Sequence, residues 1–145
     1  MKGSRGVTLS GTLKDGVHRL DIRIYYEDTD HSGLVYHANY LKFCERGRSD
    51  MLRLAGIHHT ELAEQGLGFV VRRMTCDFRA PARIDDVINV ETRLEQARTA
   101  RFVLGQQVLL QDKVLFAAEV MVALIDGNGR PQRMPASLMQ KISES

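Results

Sequence analysis

Cysteine is scarce: Cys44 and Cys76 are too few and too far apart for a disulfide framework or a zinc ribbon. Both fall in apolar periodic stretches, which reads them as buried free thiols. Long apolar runs are missing as well. No stretch approaches the ~18–20 residues of a membrane span, and MKGSRGVTLSGTLKDG lacks the apolar core of a secretory signal, so a cytoplasmic location is expected. Charge of one sign is equally sparse. The formal net charge is +2, with 20 Lys and Arg scattered among 18 Asp and Glu, which gives nucleic-acid binding little support. A mild basic excess still suits a small polyanionic ligand met by a few arginines at one cleft mouth. His31 and His37 are spaced unlike any common metal-ligand pattern, and no metal site is expected.

What is present is an ordinary globular composition, 43% hydrophobic and 26% charged, in a chain the length of one domain. Residues 1–15, rich in Gly, Ser, Thr and Lys without a period, read as a flexible tail, and 16–145 as a single domain. Leu20, Ile22 and Ile24 alternate with polar neighbours, which predicts a half-buried strand. Tyr40, Cys44, Gly47, Met51 and Leu54 or Ala55 then recur at helical spacing, with Gly56 as the C-terminal cap. Gly47 on that apolar face would let another backbone approach. A short helical turn over Thr60 to Gln65 follows.

Four further strands come next, around Val70–Arg79, Ile88–Glu95, Phe102–Leu110 and Val114–Ile125, with Pro81 in a connection. Their short connections suit antiparallel hairpins, giving an α+β layer pair of one long helix on a five-stranded sheet. The last strand is apolar on both faces, which one helix cannot cover, so a homo-oligomer is expected. A short helix after Pro135 completes the chain.

Between the first strand and the long helix, Tyr25 to Tyr40 crowds together Glu27, Asp28, Asp30, His31, His37 and four tyrosines. An ordinary connector needs only a few turn residues. Asp30 is ionised at neutral pH and can serve as a nucleophile or as a base on water, or can simply cap turn amides. The segment enters a helix whose first amides lack internal partners, so Tyr36 to Asn39 can offer N–H groups to an oxyanion. His37 can orient water, shuttle a proton or bond within the turn.

The run Tyr26-Glu27-Asp28-Thr29-Asp30-His31-Ser32-Gly33-Leu34-Val35-Tyr36-His37-Ala38-Asn39-Tyr40 resembles the signature of hot-dog-fold acyl-CoA thioesterases in the 4-hydroxybenzoyl-CoA thioesterase-like branch. Within that branch it is most similar to the Tol-Pal-associated thioesterases of YbgC type. Cys76 to Arg83, followed by Asp85-Asp86, resembles the branch's second landmark, and the likeness spans about Leu20 to Ile125. It implies a curved antiparallel sheet wrapped around one central helix, and hydrolysis of an acyl-CoA with a short or aromatic acyl group. No cofactor is implied, coenzyme A being part of the substrate. Asp30 becomes the catalytic carboxylate, with Tyr26 and His37 in support and the His37 N–H as oxyanion donor. Arg98 and Arg101, flanking a hairpin turn, become candidates for the coenzyme A phosphates, surface solvation being their alternative. A homodimer or homotetramer with its active site at a subunit interface is implied too. His31 departs from the small or apolar residue common in the family. A non-catalytic acyl-CoA-binding or partner-docking module, or a hot-dog hydratase or dehydratase, is the alternative reading.

Overall fold

The computed structural model of this chain describes residues 9–134 and 136–144. The strands are β1 (Thr12–Lys14), β2 (Val17–Arg23), β3 (Leu67–Phe78), β4 (Val87–Ala97), β5 (Arg101–Leu110) and β6 (Lys113–Asp126). The helices are α1 (Asn39–Leu54), α2 (His59–Glu64) and α3 (Ala136–Glu144). The strands form one antiparallel sheet in the order β1-β2-β4-β5-β6-β3.

The sheet has six strands where five were predicted. The extra one, β1, lies inside the stretch that reads as a tail. Asp15 and Gly16 have φ of 55° and 76°, so they form a two-residue hairpin turn of the kind Asp-Gly favours. Of the predicted tail, residues 1–8 lie outside the described residues, as does Pro135.

One connection is also corrected. β3 pairs with β6, not with β4, so residues 79–86 carry the chain from an edge of the sheet to its middle and form no hairpin. That connection props the loop before α1. Val35 N–H donates to the Ala82 carbonyl at 2.9 Å, and Ala82 N–H donates to the buried Tyr40 hydroxyl at 2.9 Å.

The helix α1 lays its apolar face across the sheet. Phe43, Cys44 and Met51 are fully buried against a layer that includes Ile88, Val90, Leu104 and Phe116. Helix α1 ends where Gly56 adopts a φ of 85° and Ile57 N–H reaches back to the Leu52 carbonyl at 2.8 Å. Gly47 is required for a different reason from the one its position suggests. The atoms nearest to a Cβ there would belong to the side chains of Val90, Thr92 and Gln106, at 2.9–3.3 Å.

Burial pushes the Cys44 thiol up to about 12, which makes it inert. Cys76 is only half-buried. On the outer face of β6 the chain supplies part of the cover itself. Leu115 and Ala123 of that face are buried within the chain, and the Arg79 and Ala80 amides bond the Leu115 carbonyl. Met121 and Ala117 remain half-buried.

Candidate active site

After β2 the chain makes a 3-10 turn over Tyr26–Asp28, and the Thr29 hydroxyl donates to the Tyr26 carbonyl at 2.8 Å. Thr29 then pairs with Val35, which closes residues 30–34 into a tight loop. In it, Asp30 N–H donates to the Leu34 carbonyl at 2.8 Å and Gly33 N–H to the Asp30 carbonyl at 3.1 Å. Gly33 sits at φ 81°, which a side chain would strain. One carbonyl ties this loop to the helix: Asp28 O accepts from Tyr36 N–H at 3.0 Å and from the Asn39 side-chain amide at 2.8 Å. Asn39, buried at the first position of α1, thus holds Asp30 in place relative to the helix start. An Asn ahead of a helix reads as an ordinary polar residue, so only the fold reveals that role.

Asp30 is exposed, and one of its carboxylate oxygens accepts from Ser32 N–H at 2.8 Å and from the Ser32 hydroxyl at 2.5 Å. The turn role and an exposed carboxylate therefore coexist: Ser32 holds Oδ1 while the side chain stays open to solvent. The Ser32 hydroxyl, and after it the Ser32 amide, lower the Asp30 pKa below its ordinary value, with a smaller contribution from the charge of His31. His31 thereby gains an electrostatic part that its departure from the family pattern does not announce. A folded-state pKa below the unfolded one means a stabilising contribution present above the ordinary carboxylate range and lost as the pH falls through the folded value. Carbon-13 NMR titration should place the Asp30 midpoint below about 3.9, the value of a free Asp. Ser32→Ala should move that midpoint upward; identical midpoints would mean that the hydroxyl does not hold the carboxylate.

Tyr36 O accepts from Asn39 N–H at 2.9 Å, turning the chain into α1 and leaving the N–H groups of His37 and Ala38 without partners among the described residues. Such unpaired donors at a helix start attract a developing negative charge. A cleft of about 710 Å³ opens over the loop and is lined by Tyr26, Thr29, Asp30, His31, Tyr36 and Asn39 among others. Tyr26 and Asp30 are thus brought together. Ala38 is not among the residues that line this cleft, and neither is His37, backbone or ring. The His37 ring packs 4.5 Å from the Tyr36 ring and edge-on to Phe78 at 6.0 Å.

Arg98 and Arg101 lie elsewhere. Arg98 N–H donates to the Arg101 carbonyl at 2.8 Å across the β4–β5 turn, and both residues line a second cavity of about 620 Å³. Arg72 and Arg73 of β3 line it too, which their place on an exposed stretch of strand does not foretell. Among the described residues no group of His, Cys, Asp and Glu could hold a metal ion, and no helix is long and apolar enough to cross a membrane.

The profile of the thioesterase-like superfamily matches residues 25–142. Over 128 residues the chain is 37% identical to the acyl-CoA thioester hydrolase YbgC of Escherichia coli, covering 87% of this chain and 96% of that one. Over 125 residues it is 40% identical to the acyl-CoA thioesterase YbgC of Haemophilus influenzae, covering 85% and 92%. The crystal structure of a probable thioesterase from Bartonella henselae matches with a TM-score of 0.79 at 44% identity, covering 82% of this chain and 99% of that one.

Proposed function

On the premise that this chain belongs to the thioesterase-like superfamily, has the hot-dog fold and is a thioester hydrolase, we propose that it converts an acyl-CoA to the free acid and coenzyme A in the cleft over residues 25–40. The observation that carries this reading is an ionised, solvent-open carboxylate, Asp30, in the same connection between β2 and α1 as two unpartnered helix-start amides. Acyl transfer needs both: a group that makes the new bond or activates water, and donors for the carbonyl oxygen as it becomes negative.

Asp30 attacks the thioester carbon to form a mixed anhydride that water then cleaves, or it removes a proton from the attacking water. Both routes use the same Oδ atoms. The thiolate that leaves has a parent pKa near ~8.5, so a dedicated strong acid is unnecessary. The N–H groups of His37 and Ala38 receive the oxyanion, and the Tyr26 hydroxyl supports the substrate across the cleft. His37 acts through its backbone, while its ring packs on Tyr36 and Phe78.

The acyl group is short or aromatic, in keeping with a cleft flanked by tyrosines. Arg98 and Arg101 meet the coenzyme A phosphates. The working unit is a homo-oligomer that completes the cleft: Tyr25, Tyr26, Tyr36 and Phe78 are 48–81% exposed around it, and β3 is a twelve-residue edge strand. The test is free-thiol release from a panel of acyl-CoAs. Turnover of at least one is expected. Calorimetric binding without release from any would instead make this a binding module, and an absorbance change without thiol would make it a hydratase or dehydratase.

A further inference from the structure

Arg72 and Arg73 are neighbours in β3, and in a regular strand their side chains would point to opposite faces of the sheet. The strand is not regular there. Val71 pairs with Val122 and Arg73 with Met121, so two β3 steps oppose one β6 step and Arg72 is the extra residue of a bulge. A bulge re-aims side chains, and here both arginines line the 620 Å³ cavity, joined by Arg98 and Arg101 from the β4–β5 turn. Met121 and Ala123 add an apolar part to its wall.

The charge in this cavity is uncompensated. No acidic side chain lines it, and none of the four arginines forms an ion pair among the described residues. A chain of net charge +2 has thus gathered four positive charges around one hollow, although elsewhere Arg19 and Arg93 share Glu91 and Arg79 pairs with Asp77. Guanidinium groups bind phosphate oxygens in pairs, and four of them around one hollow can engage several phosphates of a single molecule. The apolar wall suits the base or sugar of a nucleotide. The cavity shares no lining residue with the Asp30 cleft.

We propose that Arg72 and Arg73 are specificity-determining residues that complete, with Arg98 and Arg101, a site for a nucleotide carrying several phosphates. In the source this assigns, that nucleotide is the adenosine 3′-phosphate 5′-diphosphate end of coenzyme A. This source rests on the acyl-CoA reading above, whereas the anion site rests on the cavity.

The test compares the full chain with its Arg72→Ser/Arg73→Ser variant. Calorimetry with adenosine 3′,5′-bisphosphate should show binding weakened by about tenfold to hundredfold, the loss expected for hydrogen bonds to charged groups, with Arg72→Lys/Arg73→Lys intermediate. The preference for an acyl-CoA over the same acyl group on N-acetylcysteamine, taken as a ratio of kcat/KM, should shrink by a similar factor. An unchanged ratio with unchanged nucleotide affinity overturns the proposal, as does an equal loss on both thioesters. The nucleotide should compete with acyl-CoA; binding without competition would overturn the coenzyme A assignment. A wild type that releases no thiol, yet binds the nucleotide through these arginines, would sink the acyl-CoA reading and leave the anion site standing.

Discussion

Asp30→Asn should lower kcat for acyl-CoA hydrolysis by about 10²–10⁴-fold, the range that a positioned base contributes. The replacement is nearly isosteric, so its amide oxygen can still accept from the Ser32 amide and hydroxyl, and the loop 30–34 keeps its backbone bonds. What disappears is the negative charge and with it both nucleophilicity and basicity. Because Asp30 is exposed and its loop is held mainly by backbone groups, the melting temperature should be nearly unchanged. Free-thiol release at saturating substrate, measured beside a thermal melt, separates the two effects. Equal rates would reduce Asp30 to the turn residue that its Ser32 contacts alone would make it.

Phe116→Ala should be the costliest change to stability among those considered. Phe116 is fully buried, stacks on Tyr40 with ring centroids 5.3 Å apart and touches Phe78 at 4.9 Å. Removing such a ring costs about 3–5 kcal/mol, out of a total of roughly 5–15 kcal/mol for a domain of this kind. A fall in melting temperature of roughly 10 °C or more is expected, measurable by calorimetry or urea titration. Activity should suffer as well, because the site loop rests on the same cluster: the Tyr40 hydroxyl holds Ala82 N–H, and the Ala82 carbonyl holds Val35 N–H. A loss below about 1 kcal/mol would mean that the ring does not anchor this layer.

The long helix and the later strands were legible because their burial periods are strong. Tyr40, Cys44, Gly47 and Met51 do lie on the buried face of α1, and Val114 to Ile125 does fall in one strand, β6. β1 escaped because three residues among Gly, Ser, Thr and Lys carry no period, although Asp15-Gly16 signals a hairpin. The β3–β4 crossing escaped for another reason. Strand adjacency is decided by long-range pairing, and short spacing suits a hairpin and a crossing alike.

At the site, the crowding of titratable groups in Tyr25–Tyr40 was visible, as was the supply of free amides at the helix start. The burial of Asn39 and its bond to Asp28 O were not, since a side chain's partner across eleven residues depends on the folded loop. The packing of the His37 ring against Phe78 likewise needs β3 to arrive beside α1. Arg72 and Arg73 needed the bulge, which strict alternation conceals.

The most direct measurement is a crystal structure of Asp30→Asn with an intact acyl-CoA bound. The thioester carbonyl oxygen should lie about 2.7–3.1 Å from the N–H of His37 or Ala38, with its carbon facing the side chain at position 30. A thioester bound away from these amides, with residue 30 turned to solvent, would contradict the assignment of this loop as the place where the bond is broken.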